Sequence, residues 1–361
     1  MSHFRNDRPA PRFDQVRYGV DRGVATIMFD RPASFNAYST RTLEEAALAF
    51  REASWDDAVH AVVLTGAGTR AFCTGGDVRE YAAEYLSRPR DYWKYMGLFR
   101  AYIESILHCP KPVIARINGI CVGGGNETQL ACDLTVMAGH AYLGQVGTGV
   151  GSVPCGGATQ WLPLVVGDKR ARQMLYLNDR IPARQALEWG LVNAVAPSVR
   201  NAGGFVDDPT PEQVEKAQKA ADGWSIDLAR LDQAVLDLTD RLRDKFPECL
   251  RYTKAQANFW KELAWHQTVG HAQEWLALHY VCREPHEGMN AFVGKRPVDF
   301  AGVRRAWAED RGPEFVWGAP TGKCPACGSA GLPAEFTHCG RCGAAMAAES
   351  APTRARPEEA R

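Results

Sequence analysis

The sequence predicts an α/β core followed by a helical extension and a small cysteine-built module, on three observations. Short β-rich apolar runs alternate with helical periodicity and glycine loops as far as Pro197, the pattern turns helical from about Ser198 to Gly312, and two CxxC pairs close the ordered part. At 361 residues, 45% hydrophobic and 23% charged, the chain can bury the core of one large domain or two smaller ones. Lysine plus arginine equals aspartate plus glutamate at 42 each, so no global field draws it to nucleic acid or anionic lipid. A small-molecule partner is the expectation.

Residues 1–15, "MSHFRNDRPAPRFDQ", read as a polar arm without the apolar stretch of a signal peptide. No later segment has about twenty uninterrupted apolar residues, so a cytoplasmic protein without membrane contact is expected. Residues 16–197 carry the strand-like runs "GVATIMF", "AVVLTG", "PVIARI" and "DLTVMA" and the helical "TRTLEEAALAFREAS". Residues 198–312 read as helices. Thr210 is a candidate N-cap with Pro211 at the first helical position, and "LARLDQAVLDLTDRLRDKF" repeats apolar residues at helical spacing. Residues 320–345 hold the CxxC pairs, and 346–361 read as a disordered low-complexity tail.

Seven of the eleven cysteines are scattered in apolar or loop contexts and read as reduced thiols. Cys324, Cys327, Cys339 and Cys342 differ, because eleven residues separate two knuckles that let four thiolates converge on one ion. A structural Zn2+ ribbon is expected, rather than a CxxC redox couple, for which one pair would suffice. Four thiolates leave zinc no open position, so the ribbon should stabilise, dock a protein partner or cover an entrance. Only Lys323 and Arg341 lie near it as basic residues, which argues against a nucleic-acid finger.

In "CVGGGNE" three glycines run into a helix with Glu127 in its first turn, and "AFCTGGD" sets Gly75 and Gly76 after another strand. Bare backbone N–H groups at a helix start favour negative charge, and one donor from each loop could grip a developing oxyanion beside a carboxyl acid or base. Each loop alone reads equally as a tight turn, with Glu127 a solvated helix residue. The glycines miss the third position of a dinucleotide fingerprint, and no redox cofactor is expected.

Taken together, "RPASFNAYS", "AFCTGGDVREY", "KPVIARINGICVGGGNE", "ACDLTVMA", "GVGSVPCGGATQWLP" and "EGMNAFVGKRPVDF" resemble, in that order and over about residues 16–302, the crotonase (enoyl-CoA hydratase/isomerase) superfamily. The resemblance implies a spiral of ββα repeats, homotrimers often paired into hexamers, and an acyl-CoA thioester substrate. It makes Gly76 and Gly124 the oxyanion hole and Glu127 the catalytic carboxylate. It assigns Arg31, Phe35 and Ala37 to the coenzyme A segment, Lys295 to the CoA phosphates, and Gly75, Gly147 and Ser152 to the substrate wall. Gln145 is a further polar wall candidate. Tyr38, Tyr81 and Tyr142 read as acyl-pocket or packing residues, and Asp77 as a helix cap. Typical hydratases of the family carry a second glutamate twenty residues after the first, and that position is Gly147. The insert with "GGFVDDP", "IDLARLD" and "KFPECL" is similar to the ring hydrolases of anaerobic aromatic degradation, the 6-oxocyclohex-1-ene-1-carbonyl-CoA hydrolases. That resemblance implies water addition and opening of a cyclic oxo-enoyl thioester. The alternatives are a hydratase or isomerase in which another carboxylate such as Glu104 enters the pocket, and a non-catalytic acyl-CoA scaffold.

Overall fold

The computed structural model describes residues 11–309, 315–316, 322–333 and 335–346. Most of the expected N-terminal arm and nearly all of the tail lie outside the described residues. β1 (Val16–Asp21) and β2 (Val24–Phe29) pair antiparallel, and β2 alternates so that Ala25, Ile27 and Phe29 are buried. α1 (Thr40–Trp55) starts at Ser39, whose hydroxyl and Thr42 form a capping box. It buries Leu43, Ala46, Ala49, Phe50 and Ala53 at helical spacing.

Three β-β-α units follow. The first is β3 (Ala61–Gly66), β4 (Ala71–Cys73) and α2 (Val78–Glu80), which runs through a π-helical turn, Tyr81–Tyr85, towards α3 (Pro89–Leu107). Next come β5 (Val113–Ile117), β6 (Ile120–Val122) and α4 (Gly124–Ala131), and then β7 (Leu134–Ala138), β8 (Tyr142–Gly144) and α5 (Ala158–Val166). Each unit gives its first strand to one sheet and its second to another. After α6 (Asp168–Leu177), β9 (Ile181–Pro182), α7 (Ala183–Glu188) and β10 (Ala194–Ala196), the large sheet has the order β1-β2-β3-β5-β7-β10 and the small one β4-β6-β8-β9. Strands β2 to β10 of the large sheet are parallel and β3 is buried on both faces, so its run reads as continuously apolar. This is the expected spiral.

The helical reading from Ser198 misses one element. β11 (Val199–Asn201), β12 (Gly204–Val206) and, after α8 (Pro211–Gln218), β13 (Ser225–Ile226) form a three-stranded sheet. Strands of two and three residues carry too little pattern to register. The cap of α8 is as expected, with Gln213 N–H donating to Thr210 Oγ1 and Thr210 N–H to Gln213 Oε1. α9 (Ala229–Arg243) covers the large sheet, α10 (Pro247–Ala257) leads to α11 (Phe259–His279), and α11 packs along α3 and α5, where Trp161 stacks on Trp265 at 5.4 Å. α12 (Arg283–Val293) returns to α2 and the π-helical turn, followed by α13 (Phe300–Ala308) and the antiparallel pair β14 (Gly322–Lys323) and β15 (Ala330–Leu332). α10 and α11 leave Tyr252, Phe259, Trp260, Trp275 and Leu278 exposed. Among the described residues no helix is long and apolar enough to cross a membrane.

Candidate active site

β4 and β6 are parallel neighbours, so the glycine loops leaving their C-terminal ends lie side by side. A Cβ on Gly75 would stand 2.8 Å from the Gly124 nitrogen, and the turn at Gly123 has φ 57°, so this approach excludes side chains. Tyr38 N–H donates to the Gly75 carbonyl at 2.9 Å and Asp77 N–H to the Tyr38 carbonyl at 3.0 Å. With the groups on either side of Gly76 turned towards Tyr38, the Gly76 N–H points to the opposite side. Gly124 is the first residue of α4, so its N–H is outside the helix ladder at the positive end of the dipole. Two backbone donors from adjacent strands are thus available for one oxygen carrying developing charge.

Bare backbone has a further reason here, beyond ligand access. A Cβ on Gly76 would lie 1.6 Å from the Tyr81 hydroxyl oxygen, and one on Gly124 would lie 1.7 Å from that of Tyr38. Two phenol hydroxyls occupy the space that alanines would need.

Glu127 is 6% exposed, one turn into α4. Its Oε1 accepts the N–H groups of Gly156 at 2.7 Å and Ala158 at 3.2 Å, at the start of α5. A Cβ on Gly156 would fall 2.1 Å from the Phe99 ring and 2.8 Å from Oε2, so glycine is needed there as well. Burial pushes the carboxyl up from 4.5 to about 7, outweighing the two amide hydrogen bonds that favour its charge. A carboxyl poised there exchanges protons in both directions near neutral pH.

Glu127 lines an inner cavity of about 90 Å³ with Gly75, Gly76, Gly124, Gln145, Gly147, Ser152 and the rings of Tyr38, Tyr81, Tyr92, Tyr95 and Phe99. Among the described residues it is the only carboxylate in that wall. Glu104 does not enter. It accepts from Arg100 and from the Trp265 indole at 3.1 Å, so the carboxylate that the alternative hydratase or isomerase reading would bring in stays outside. Gly147 donates no side chain, and its carbonyl accepts Ser152 N–H at 2.8 Å. An outer cavity of about 410 Å³ shares Thr74, Gly76, Val78, Val146 and Val150 with the inner one and is lined further by Phe35, Ala37, Tyr142 and Phe292. Tyr142 therefore faces the entrance, while Tyr38 and Tyr81 face the inner chamber.

Arg31 lines neither cavity. Its guanidinium pairs with Asp77 at 2.8 Å and with the Ala37 carbonyl, clamping the entrance segment to the Gly76 loop. Asp77 also accepts Arg79 N–H at 3.1 Å, as a helix cap should. Lys295 is exposed beyond α12, outside both cavities. Sequence reasoning missed Tyr92, Tyr95 and Phe99, although "YWKYMGLF" sets them at positions i, i+3 and i+7 of one helix face.

At the other end of the chain, the four ribbon sulfurs lie within 4.8 Å of one another. Cys324 and Cys342 Sγ are 3.6 Å apart and Cys327 and Cys339 Sγ 3.7 Å. A tetrahedron of Zn–S bonds has edges of about 3.8 Å. Cys327 N–H donates to Cys324 Sγ and Arg341 N–H to Cys339 Sγ, both at 3.4 Å, and Gly328 and Gly343 take φ of 74° and 73° in matching turns. The residues fit a closed tetrathiolate metal site.

A ββα spiral whose neighbouring loops set two backbone donors beside a buried carboxyl defines the crotonase class of acyl-CoA enzymes. This chain belongs to the enoyl-CoA hydratase/isomerase family, which residues 19–203 match. It is 35% identical over 328 residues to the 6-oxocyclohex-1-ene-1-carbonyl-CoA hydrolase of Geobacter metallireducens, covering 84% of this chain and 85% of that one. To the protein of the same name from Thauera aromatica it is 34% identical over 308 residues, covering 78% and 81%. Among solved structures, an enoyl-CoA hydratase/isomerase from Xanthobacter autotrophicus Py2 matches with TM-score 0.63 at 26% identity, covering 84% of this chain and 100% of the other. An enoyl-CoA hydratase from Mycobacterium avium subsp. paratuberculosis K-10 gives 0.64 at 24%, covering 80% and 99%, a likeness of fold.

Proposed function

We propose that this protein is a hydrolase that adds water to, and opens, a cyclic oxo-enoyl-CoA thioester of the 6-oxocyclohex-1-ene-1-carbonyl-CoA type. The observation that carries the reading is the lone carboxyl of the inner cavity, Glu127, half-ionised near pH 7 beside the paired amides of Gly76 and Gly124. The two curated relatives act in its support. In the first step ionised Glu127 takes a proton from water, whose oxygen bonds to the β-carbon. The electron pair moves to the thioester oxygen in the hole, and Glu127 returns the proton to the α-carbon. In the second step another water attacks the ring ketone, the bond from the ketone carbon to the α-carbon breaks, and its pair enters the same thioester enolate. Protonation of the α-carbon leaves an open chain with a carboxylate at one end and the thioester at the other. Both steps move a proton from water to the same carbon, so one carboxyl can serve both, and Gly147 needs no acid.

Coenzyme A would lie along Phe35 and Ala37 in the outer cavity, with Arg31 holding that segment and Lys295 meeting the phosphates. A structural Zn2+ would occupy the ribbon. The exposed aromatic residues of α10 and α11 would be covered in a homotrimer or hexamer, in the cytoplasm of a cell that degrades aromatic compounds. The test is mass spectrometry of the protein with 6-oxocyclohex-1-ene-1-carbonyl-CoA and, in parallel, crotonyl-CoA. Uptake of two waters with the thioester intact, lost in Glu127→Gln by about a hundredfold or more, is expected. One water added to crotonyl-CoA with the cyclic compound untouched would return the chain to the hydratases, and thioester binding without turnover of either compound, unchanged in Glu127→Gln, would mean a scaffold.

A further inference from the structure

The Tyr38 hydroxyl is a donor without an acceptor. The residue is 3% exposed and its ring stacks on Phe99 at 5.5 Å, yet among the described residues its hydroxyl has no hydrogen-bond partner, and it lines the inner cavity. A hydroxyl that reaches a cavity without a partner in the protein is a donor for a ligand oxygen placed there. Its neighbour Tyr81 differs, being hydrogen-bonded to the Tyr95 hydroxyl at 2.6 Å. Tyr38 is also held rigidly, because the backbone bridge that turns the Gly76 N–H also fixes Tyr38, and its hydroxyl lies against Gly124.

Building on the ring-opening reading, we propose that the Tyr38 hydroxyl donates a hydrogen bond to the ring ketone oxygen of the substrate, forming a second oxygen-binding position beside the Gly76 and Gly124 amides. In a β-oxo thioester only one carbon separates the two carbonyl carbons, so when one oxygen sits in the hole the other must be recognised immediately next to it. Tyr38 supplies a donor directly beside Gly124, where a Gly124 Cβ would lie 1.7 Å from its hydroxyl oxygen. Burial, with Tyr81 and Glu127 nearby, raises its phenol well above 10, so it stays protonated and acts as a donor rather than a base. When the water oxygen bonds to the ketone carbon, the carbonyl π pair moves to the ketone oxygen and Tyr38 stabilises that charge. On collapse the pair re-forms the C=O, the bond to the α-carbon breaks, and the released pair passes to the thioester oxygen in the hole. The α-carbon then takes the proton that Glu127 removed from water.

Tyr38→Phe keeps the ring stack and removes only the oxygen. The expected result is an uneven loss: ring opening slows by about a hundredfold, first-water addition slows far less, and the hydrated, ring-intact thioester accumulates. A second readout needs no turnover. In the Glu127→Gln background, the full-length protein should bind 2-oxocyclohexanecarbonyl-CoA more tightly than cyclohexanecarbonyl-CoA. Adding Tyr38→Phe should erase about tenfold of that preference without weakening the oxo-free ligand. 3-Fluorotyrosine at position 38, which keeps the hydroxyl, should restore it. Equal slowing of both steps, or an unchanged binding preference, would overturn the assignment. Should the wild-type protein leave the ring closed, the functional reading falls, and the binding pair still decides the role of Tyr38.

Discussion

Glu127 is asked to be buried and to ionise, and these demands oppose each other across the pH scale. The folded carboxyl keeps its proton up to about pH 7 and the unfolded one only to 4.5, so between those values the folded state binds more protons. Stability therefore falls as pH rises through that window, by roughly 3 kcal/mol in all. In the proposed reaction the base form activates water, so activity should run the other way. We expect kcat/KM to rise through an apparent pKa near 7, and Glu127→Gln to be inactive but more stable than wild type at pH 8, with the two stabilities converging near pH 4.5. Gln can still accept from Gly156 and Ala158 through its oxygen. Thermal denaturation at several pH values checks this, and a wild-type stability flat from pH 5 to 8 would count against a raised carboxyl. At this scale the glycines and Glu127 were legible because helix starts and bare amides have a chemistry visible in three or four adjacent letters. Of the tyrosine wall, Tyr38 and Tyr81 stood out as pocket candidates, whereas Tyr92, Tyr95 and Phe99 did not, since they reach the cavity only once α3 is packed against the π-helical turn.

Helix α4 shows how tightly the elements hold the site. A Cβ on Gly125 would stand 2.1 Å from the Cys73 carbonyl oxygen of β4, a backbone atom that cannot turn aside. Gly125→Ala should cost about 1–3 kcal/mol, read as a lower denaturant midpoint. Gly270, exposed within α11 with nothing near its missing side chain, should respond oppositely, Gly270→Ala gaining about 0.5–1 kcal/mol. If both substitutions lower the midpoint alike, close approach of α4 to β4 is not what sets the difference. The long buried strands β2, β3, β5 and β7 were readable as apolar runs, and α1 and α8 by their periodicity and caps. The sheet of β11, β12 and β13 was not, because its strands are only two or three residues long and β13 comes to β11 from afar, with Val199 opposite Ile226.

Across the whole molecule, the spiral holds the site and the cysteine module hangs beyond α13, reaching back to α12 through the pairing of Arg283 with Glu335. We expect one zinc per chain by elemental analysis. Removal of the metal by a chelator should open the ribbon to proteolysis while the helical and sheet signal of the core persists. Loss of the core signal together with the metal would instead make the ribbon part of the central folding unit. The four cysteines were legible by spacing, whereas their approach to α12 shows in an ion pair, Arg283 with Glu335, between residues fifty-two apart.

The hole itself is suspended from two adjacent strands, β4 and β6, so its width is a property of the sheet's own repeat, about 4.8 Å between neighbouring strands. The other walls of the inner cavity, where the acyl group would lie under the proposed function, come from elsewhere: the segment before α1, the π-helical turn, α3, the loop after β8 and α11. Such a division frees evolution to exchange one acyl chemistry for another by rewriting the walls, while the part that tolerates no error is inherited unchanged with the backbone.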